Sequence, residues 1–176
     1  MYIPIILGTA RKGRQSEKVA KFILQEAKKS HVQSDIVDVR DYRIPATDNT
    51  EKSPKAKKLA KKILEADALV IVTPEYNFTY PGELKMMLDM LYGQYEKMPV
   101  GVCSVSSGDF GGARAAQELK LLCLKFCMHP ICETLFFPNV QNLFDKNGKI
   151  KNERYYKRAK RFLDYLILHA KALKKI

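Results

Sequence analysis

The chain has 176 residues, 46% of them hydrophobic and 28% charged, a balance that suits one globular domain and excludes wholesale disorder. No apolar run approaches the ~20 residues needed to span a bilayer. Residues 1–8 lack the basic region and long apolar run of a secretory signal, so the expected compartment is the cytoplasm. The formal net charge of +12 favours anionic ligands without choosing among them, and the four cysteines are expected as reduced thiols.

Residues 2–7 read as a short, buried strand of a parallel sheet, with Pro4 at its beginning because a proline removes a ladder donor. A helix is predicted over residues 17–29, with Val19, Ala20, Ile23, Leu24 and Ala27 on one face. Residues 35–39 alternate as a second strand, and residues 54–65 form a helix with Leu59 and Ile63 inward and Lys55, Lys58 and Lys62 outward. Residues 68–72 are apolar throughout, as a central strand would be. Pro81 suits a first helical turn, and Leu84, Met87, Leu88 and Leu91 mark the inward stripe of the helix it opens. A strand at 100–105, a helix at 112–126, a strand at 131–136 and a helix at 155–173 complete the pattern. The basic stretches 52–62 and 149–161, with Lys171, Lys174 and Lys175, read as solvated helix faces.

Strands alternating with helices predict an α/β, doubly wound, three-layer fold with a five-stranded parallel sheet, in one domain over residues 1–176. Ligands of such sheets bind outside the carboxyl ends of the strands, which directs attention to three loops. The first, residues 8–16, offers backbone donors, a helix N-terminus, Arg11 and Arg14 to a phosphate. It is neither a Walker A loop nor a Gly-x-Gly-x-x-Gly fingerprint. The second, residues 73–82, alternates aromatic, amide and hydroxyl groups between prolines and suits the wall of a flat heteroaromatic ring. The third, residues 106–112, carries glycines that would let the backbone approach a ligand closely.

Gly8-Thr9-x-Arg11 with Arg14, then Pro74-Glu75-Tyr76-Asn77, Pro81-Gly82-x-Leu84-Lys85, and Ser107-Gly108 before Gly111-Gly112 resemble the NADPH-dependent FMN reductase family. The resemblance runs from residue 3 to about residue 120. It implies a flavodoxin-like fold, FMN bound without a covalent link, NAD(P)H as co-substrate, and a homodimer or tetramer. Quinones, azo compounds, metal oxyanions or free flavins are the acceptors it implies. By the same resemblance, Thr9, Arg11, Arg14, Gln15 and Ser16 would hold the FMN phosphate, and Pro74, Glu75, Tyr76, Asn77, Ser107 and Gly108 would border the isoalloxazine. Met86 departs from the asparagine that many relatives carry. No catalytic side chain is assigned, because hydride chemistry belongs to the flavin; Glu75 reads as shaping its loop rather than as an acid.

Other classes fit less well. Cys123 and Cys127 read as continuing an apolar helix face with Leu119 and Phe126 rather than joining His129 and Cys132 around a metal. The position six beyond Cys103 is Asp109, not the arginine of a phosphatase loop. A flavin-binding electron carrier or redox sensor is the alternative, against which the basic charge counts. Met86 and Met90 add apolar surface beside the helix after Pro81, so that helix is the expected dimer contact.

Overall fold

Pro4 sets where the first strand begins. In the computed structural model, which describes residues 1–47 and 50–174, β1 covers Ile5–Leu7. Pro4 contributes only its carbonyl there, accepting from the Val70 N–H at 3.1 Å, the one ladder role open to a residue without an N–H. Lys175, at the end of the second basic stretch, lies outside the described residues.

The remaining strands are β2 (Ile36–Asp38), β3 (Leu69–Pro74), β4 (Pro99–Val105) and β5 (His129–Phe137). All pair in parallel, in the order β2-β1-β3-β4-β5, the flavodoxin-like arrangement. Helices α1 (Ser16–Lys29), α2 (Pro54–Glu65), α3 (Gly82–Leu88) and α4 (Ala113–Lys125) connect successive strands, and α5 (Val140–Leu143) and α6 (Arg154–Leu173) follow β5.

Alternation along the strands divides the core between two faces. Ile5 and Leu7 pack with Val19, Ile23, Phe162 and Leu166 of α1 and α6, whereas Ile6 and Ile71 pack with Leu59, Leu84 and Leu119 of α2, α3 and α4. Each such side chain stabilises the fold by ~1.5–3 kcal/mol when fully buried. β3 is buried at every position, as a strand covered on both faces must be. Local signals place the helix starts: Ser53 Oγ accepts from the Ala56 N–H at 3.0 Å, and Pro54 occupies the first turn of α2.

Three expectations change. Met90 is only 4% exposed and belongs to the core, because α3 stops at Leu88 and residue 90 no longer follows the helical phase. Cys127 is exposed, unlike buried Cys123, because α4 ends at Lys125 and Cys127 turns to φ +56°. Finally, α5 was not foreseen; four residues are too few for periodicity to register. Among the described residues no helix is long and apolar enough to cross a membrane.

Candidate functional site

The strand order reverses between β1 and β3: the chain leaves β1 for β2, then returns across it to β3. The loops after these two strands therefore diverge and leave a crevice, the position where open α/β sheets take ligands. A cleft of about 330 Å³ lies there, bordered by Arg11, Lys12, Gly13, Arg14, Gln15, Ser16, Pro74, Tyr76, Val105, Ser106, Ser107 and Val140.

The loop after β1 starts at Gly8, where a Cβ would stand 2.9 Å from Leu84 Cδ2 and 3.2 Å from the Val72 carbonyl oxygen. A side chain there would press on Leu84 and on the Val72 carbonyl, so glycine suits the close approach of the strand end to α3. Thr9 is buried, with its hydroxyl 3.1 Å from that of Tyr76. Arg14 turns inward: Nη1 donates to the Thr9 carbonyl at 2.6 Å and to Asp38 Oδ1 at 2.8 Å, and Nη2 pairs with Asp38 Oδ2. Its Nε faces Glu17 Oε2 at 3.5 Å. Burial alone would raise the Asp38 carboxyl, but the Arg14 guanidinium and the Arg40 N–H outweigh it and hold it below its ordinary value. Arg40 bonds the Ala10 and Arg11 carbonyls at 3.2 and 2.7 Å. Arg14 and Arg40 thus clamp the loop from within.

Arg11 is placed differently. Its guanidinium is exposed, lies 5.4 Å from the Tyr76 ring centroid, and makes no hydrogen bond among the described residues. The start of α1 beside it has no side-chain cap, so its first N–H groups and the positive end of its dipole remain available to an anion. Ser16 Oγ and Gln15 Oε1 are buried there without a hydrogen-bond partner, an arrangement that is costly unless a ligand completes it.

The loop after β3 supplies the facing wall through Pro74 and Tyr76. Tyr76 and Thr79 exchange backbone hydrogen bonds at 2.8 and 3.1 Å, with Asn77 and Phe78 between them at φ +50° and +71°. Two positive φ values in a two-residue turn match type I′, which favours asparagine first; Asn77 forms the turn and does not border the cleft. Glu75 faces the other way, its Oε2 accepting from the N–H groups of Arg114 and Ala115 at 3.0 and 3.2 Å, so it caps α4.

The third loop is held from beneath by the turn into α5. The Ser106 and Gly108 carbonyls accept from the N–H groups of Val140 and Asn139 at 3.1 Å, and the Ser107 carbonyl accepts from Gln141 Nε2 at 3.3 Å. Ser106 and Ser107 border the cleft, and Gly108 lies just beyond it. Gly111 and Gly112 serve the turn rather than a ligand: at φ +61° and +84°, a Cβ on either would meet Phe136 Cβ at 2.9 Å or Ser104 Cβ at 3.0 Å. The sequence reading missed Val140 on the cleft and Asp38 beneath it. Asp38 could have been found from its place at the end of β2, next to β1.

An uncapped helix start with orphaned polar atoms stands at the switch point of a flavodoxin-like sheet, where α/β domains take their ligands. The model of the NADPH-dependent FMN reductase family matches residues 1–142. A quinone reductase of Pseudomonas putida is 32% identical over 161 residues, covering 86% of this chain and 85% of that protein. An NAD(P)H-dependent FMN reductase of Schizosaccharomyces pombe is 31% identical over 160 residues, covering 81% and 78%. Among solved structures, the flavoenzyme NAD(P)H:(acceptor) oxidoreductase FerB of Paracoccus denitrificans superposes with a TM-score of 0.82 at 23% identity, over 96% of this chain and 98% of that one; that likeness concerns the fold. The chain belongs to the NADPH-dependent FMN reductase family. It is an oxidoreductase, with FMN as cofactor and NAD(P)H as electron donor.

Proposed function

We propose that residues 1–176 act as one domain that carries electrons from NAD(P)H through FMN to a quinone, with azo compounds, metal oxyanions and free flavins as other candidate acceptors. The name of the Pseudomonas relative favours the quinone. The observation that carries the cofactor reading is buried, unpartnered Ser16 Oγ at the uncapped start of α1. In this reading Arg11, Ser16 and the first N–H groups of α1 hold the phosphate. The lone Gln15 Oε1 accepts from a ribityl hydroxyl, and Thr9 and Arg14 keep the loop in shape. Pro74, Tyr76, Ser107 and Gly108 border the ring, while Glu75 and Asn77 fix the loop that carries Tyr76. Bound there, FMN accepts hydride and returns electrons; the protein orients it and tunes it.

The proposed assembly is a homodimer in the cytoplasm, formed through α4 rather than through Met86 and Met90. Leu121 and Leu124 are 67% and 57% exposed. They lie one turn apart on α4, on a face that turns to solvent. A pair of exposed leucines on one helix face suits a second copy of the same face.

The direct test is the absorption spectrum of the purified protein after FMN addition, followed by NAD(P)H oxidation with and without a quinone. A flavin spectrum with about one FMN per chain and catalytic turnover is the expected result. A protein that fails to quench FMN fluorescence overturns the reading.

A further inference from the structure

Two phenylalanines on the loops after β3 and β4 stand in solvent, and both lie against one arginine. Phe78 is 65% exposed and Phe110 73%, and Arg114 Cζ is 4.4 Å from the first ring centroid and 5.7 Å from the second. Phe78 follows Tyr76 by two positions and Phe110 follows Ser107 by three, so the cluster is carried by the same two loops that supply Tyr76 and Ser107 to the cleft.

Apart from its contact with Arg114, the fold gives little reason for Phe78. The second central position of a type I′ turn favours glycine, and a β-carbon at φ +71° is strained. Its exposed ring returns little burial energy for that cost, the pattern expected where strain serves a ligand. The Arg114 guanidinium, with five N–H donors, makes no hydrogen bond among the described residues. Its nearest charged partner, Glu75 Oε1, is 3.8 Å away, beyond hydrogen-bond reach. The other oxygen of that carboxylate is spent on α4. Arg114 therefore presents an open donor edge between two aromatic faces.

We propose that Phe78, Arg114 and Phe110 form a subsite for a planar aromatic anion beside the flavin, an inference that rests on the FMN reading above. The rings stack a flat molecule, and the guanidinium edge bonds its anionic oxygens. Glu75 offsets part of the charge, so flatness and charge are both required. Two molecules in the proposed reaction share this chemistry: a quinone with an anionic substituent, and the adenosine 2′-phosphate end of NADPH.

The test uses FMN-loaded, oxidised protein without NAD(P)H. Calorimetric titrations compare 1,4-naphthoquinone-2-sulfonate with 1,4-naphthoquinone, and adenosine 2′-phosphate with adenosine. They are run on the unmodified protein, Phe78→Gly, Phe110→Ala and Arg114→Gln. At least one anion binds; either phenylalanine substitution weakens it about tenfold, and Arg114→Gln abolishes its advantage over the uncharged partner. The anion that responds identifies the source. Without FMN, the melting temperature of Phe78→Gly holds or rises by roughly 2–4 °C as the strain is released. No anion binding to loaded protein, or equal binding in all four proteins, overturns the subsite while leaving the flavin reading intact. A melting temperature several degrees lower in Phe78→Gly also overturns it, by showing that the ring belongs to the fold. Failure to take up FMN overturns both.

Discussion

Asp38 receives both terminal nitrogens of Arg14 on its two carboxylate oxygens, tying the end of β2 to the loop after β1. The two arginines of that loop are consequently unequal, since one is committed inside and the other is open. Arg11→Ala should lower FMN affinity by roughly ten- to a hundredfold, the ~1.5–3 kcal/mol of a charge-assisted hydrogen bond, and leave riboflavin nearly unchanged. Arg14→Ala should lower the melting temperature and weaken both flavins in similar proportion. Fluorescence-quenching titrations of the two flavins separate these outcomes. Equal losses in Arg11→Ala would show that this side chain, too, only shapes the loop.

The same pair predicts a response to acid. The ordinary value for Asp38 is 3.8 and the folded value lies lower. A depressed carboxyl contributes stability that is fully present above its unfolded value and is lost as pH falls through the folded one. Urea unfolding should therefore show stability declining below about pH 4, with a shallower decline in Asp38→Asn. Asp35, Asp67 and Glu17 are also held low, so the comparison is between variant and parent rather than against a flat line. Identical acid slopes in the two proteins would remove Asp38 from the account.

Ser16→Ala offers a test in which stability and binding move apart. Its hydroxyl is buried without a partner, so removing it should leave the FMN-free protein as stable or slightly more stable. FMN affinity should fall by about tenfold if the hydroxyl bonds the phosphate. A loss of stability with unchanged FMN binding would assign Ser16 to the fold alone.

On α4, Leu121→Glu with Leu124→Glu should convert the proposed dimer to a monomer by light scattering, with little change in melting temperature of the monomeric unit. Both side chains are largely exposed within the chain, so the change touches an interface rather than a core. A monomer in the unmodified protein would reject the assembly.

The thiols should divide into two classes. Cys127 and Cys132 are exposed, whereas Cys103 and Cys123 are buried. Burial pushes the Cys123 thiol up to about 12 and the Cys103 thiol further. Thiolate is the reactive form, so a thiol reagent should label two cysteines per native chain quickly and the other two only on unfolding. Four equally fast thiols would contradict the packing beneath α4 and β4.

The sequence by itself determined the order of strands and helices, because the apolar periodicity of residues 17–29 or 155–173 is written in neighbouring positions. It also located the three loops, since Gly8, Pro81 and the Gly111-Gly112 pair announce turns. Only the tertiary structure decided which loop side chains face the cleft. Arg11 and Arg14 are chemically alike and three residues apart, yet Asp38 on an adjacent strand takes one and leaves the other. Glu75 and Tyr76 are neighbours in the second loop, but the N-terminus of α4 draws one away while the other borders the cleft. Met90 entered the core because α3 ended two residues before it. In each case the deciding partner comes from another part of the chain or from where an element stops. Local pattern carries the period of a helix, but the direction of a polar side chain depends on what packing brings beside it.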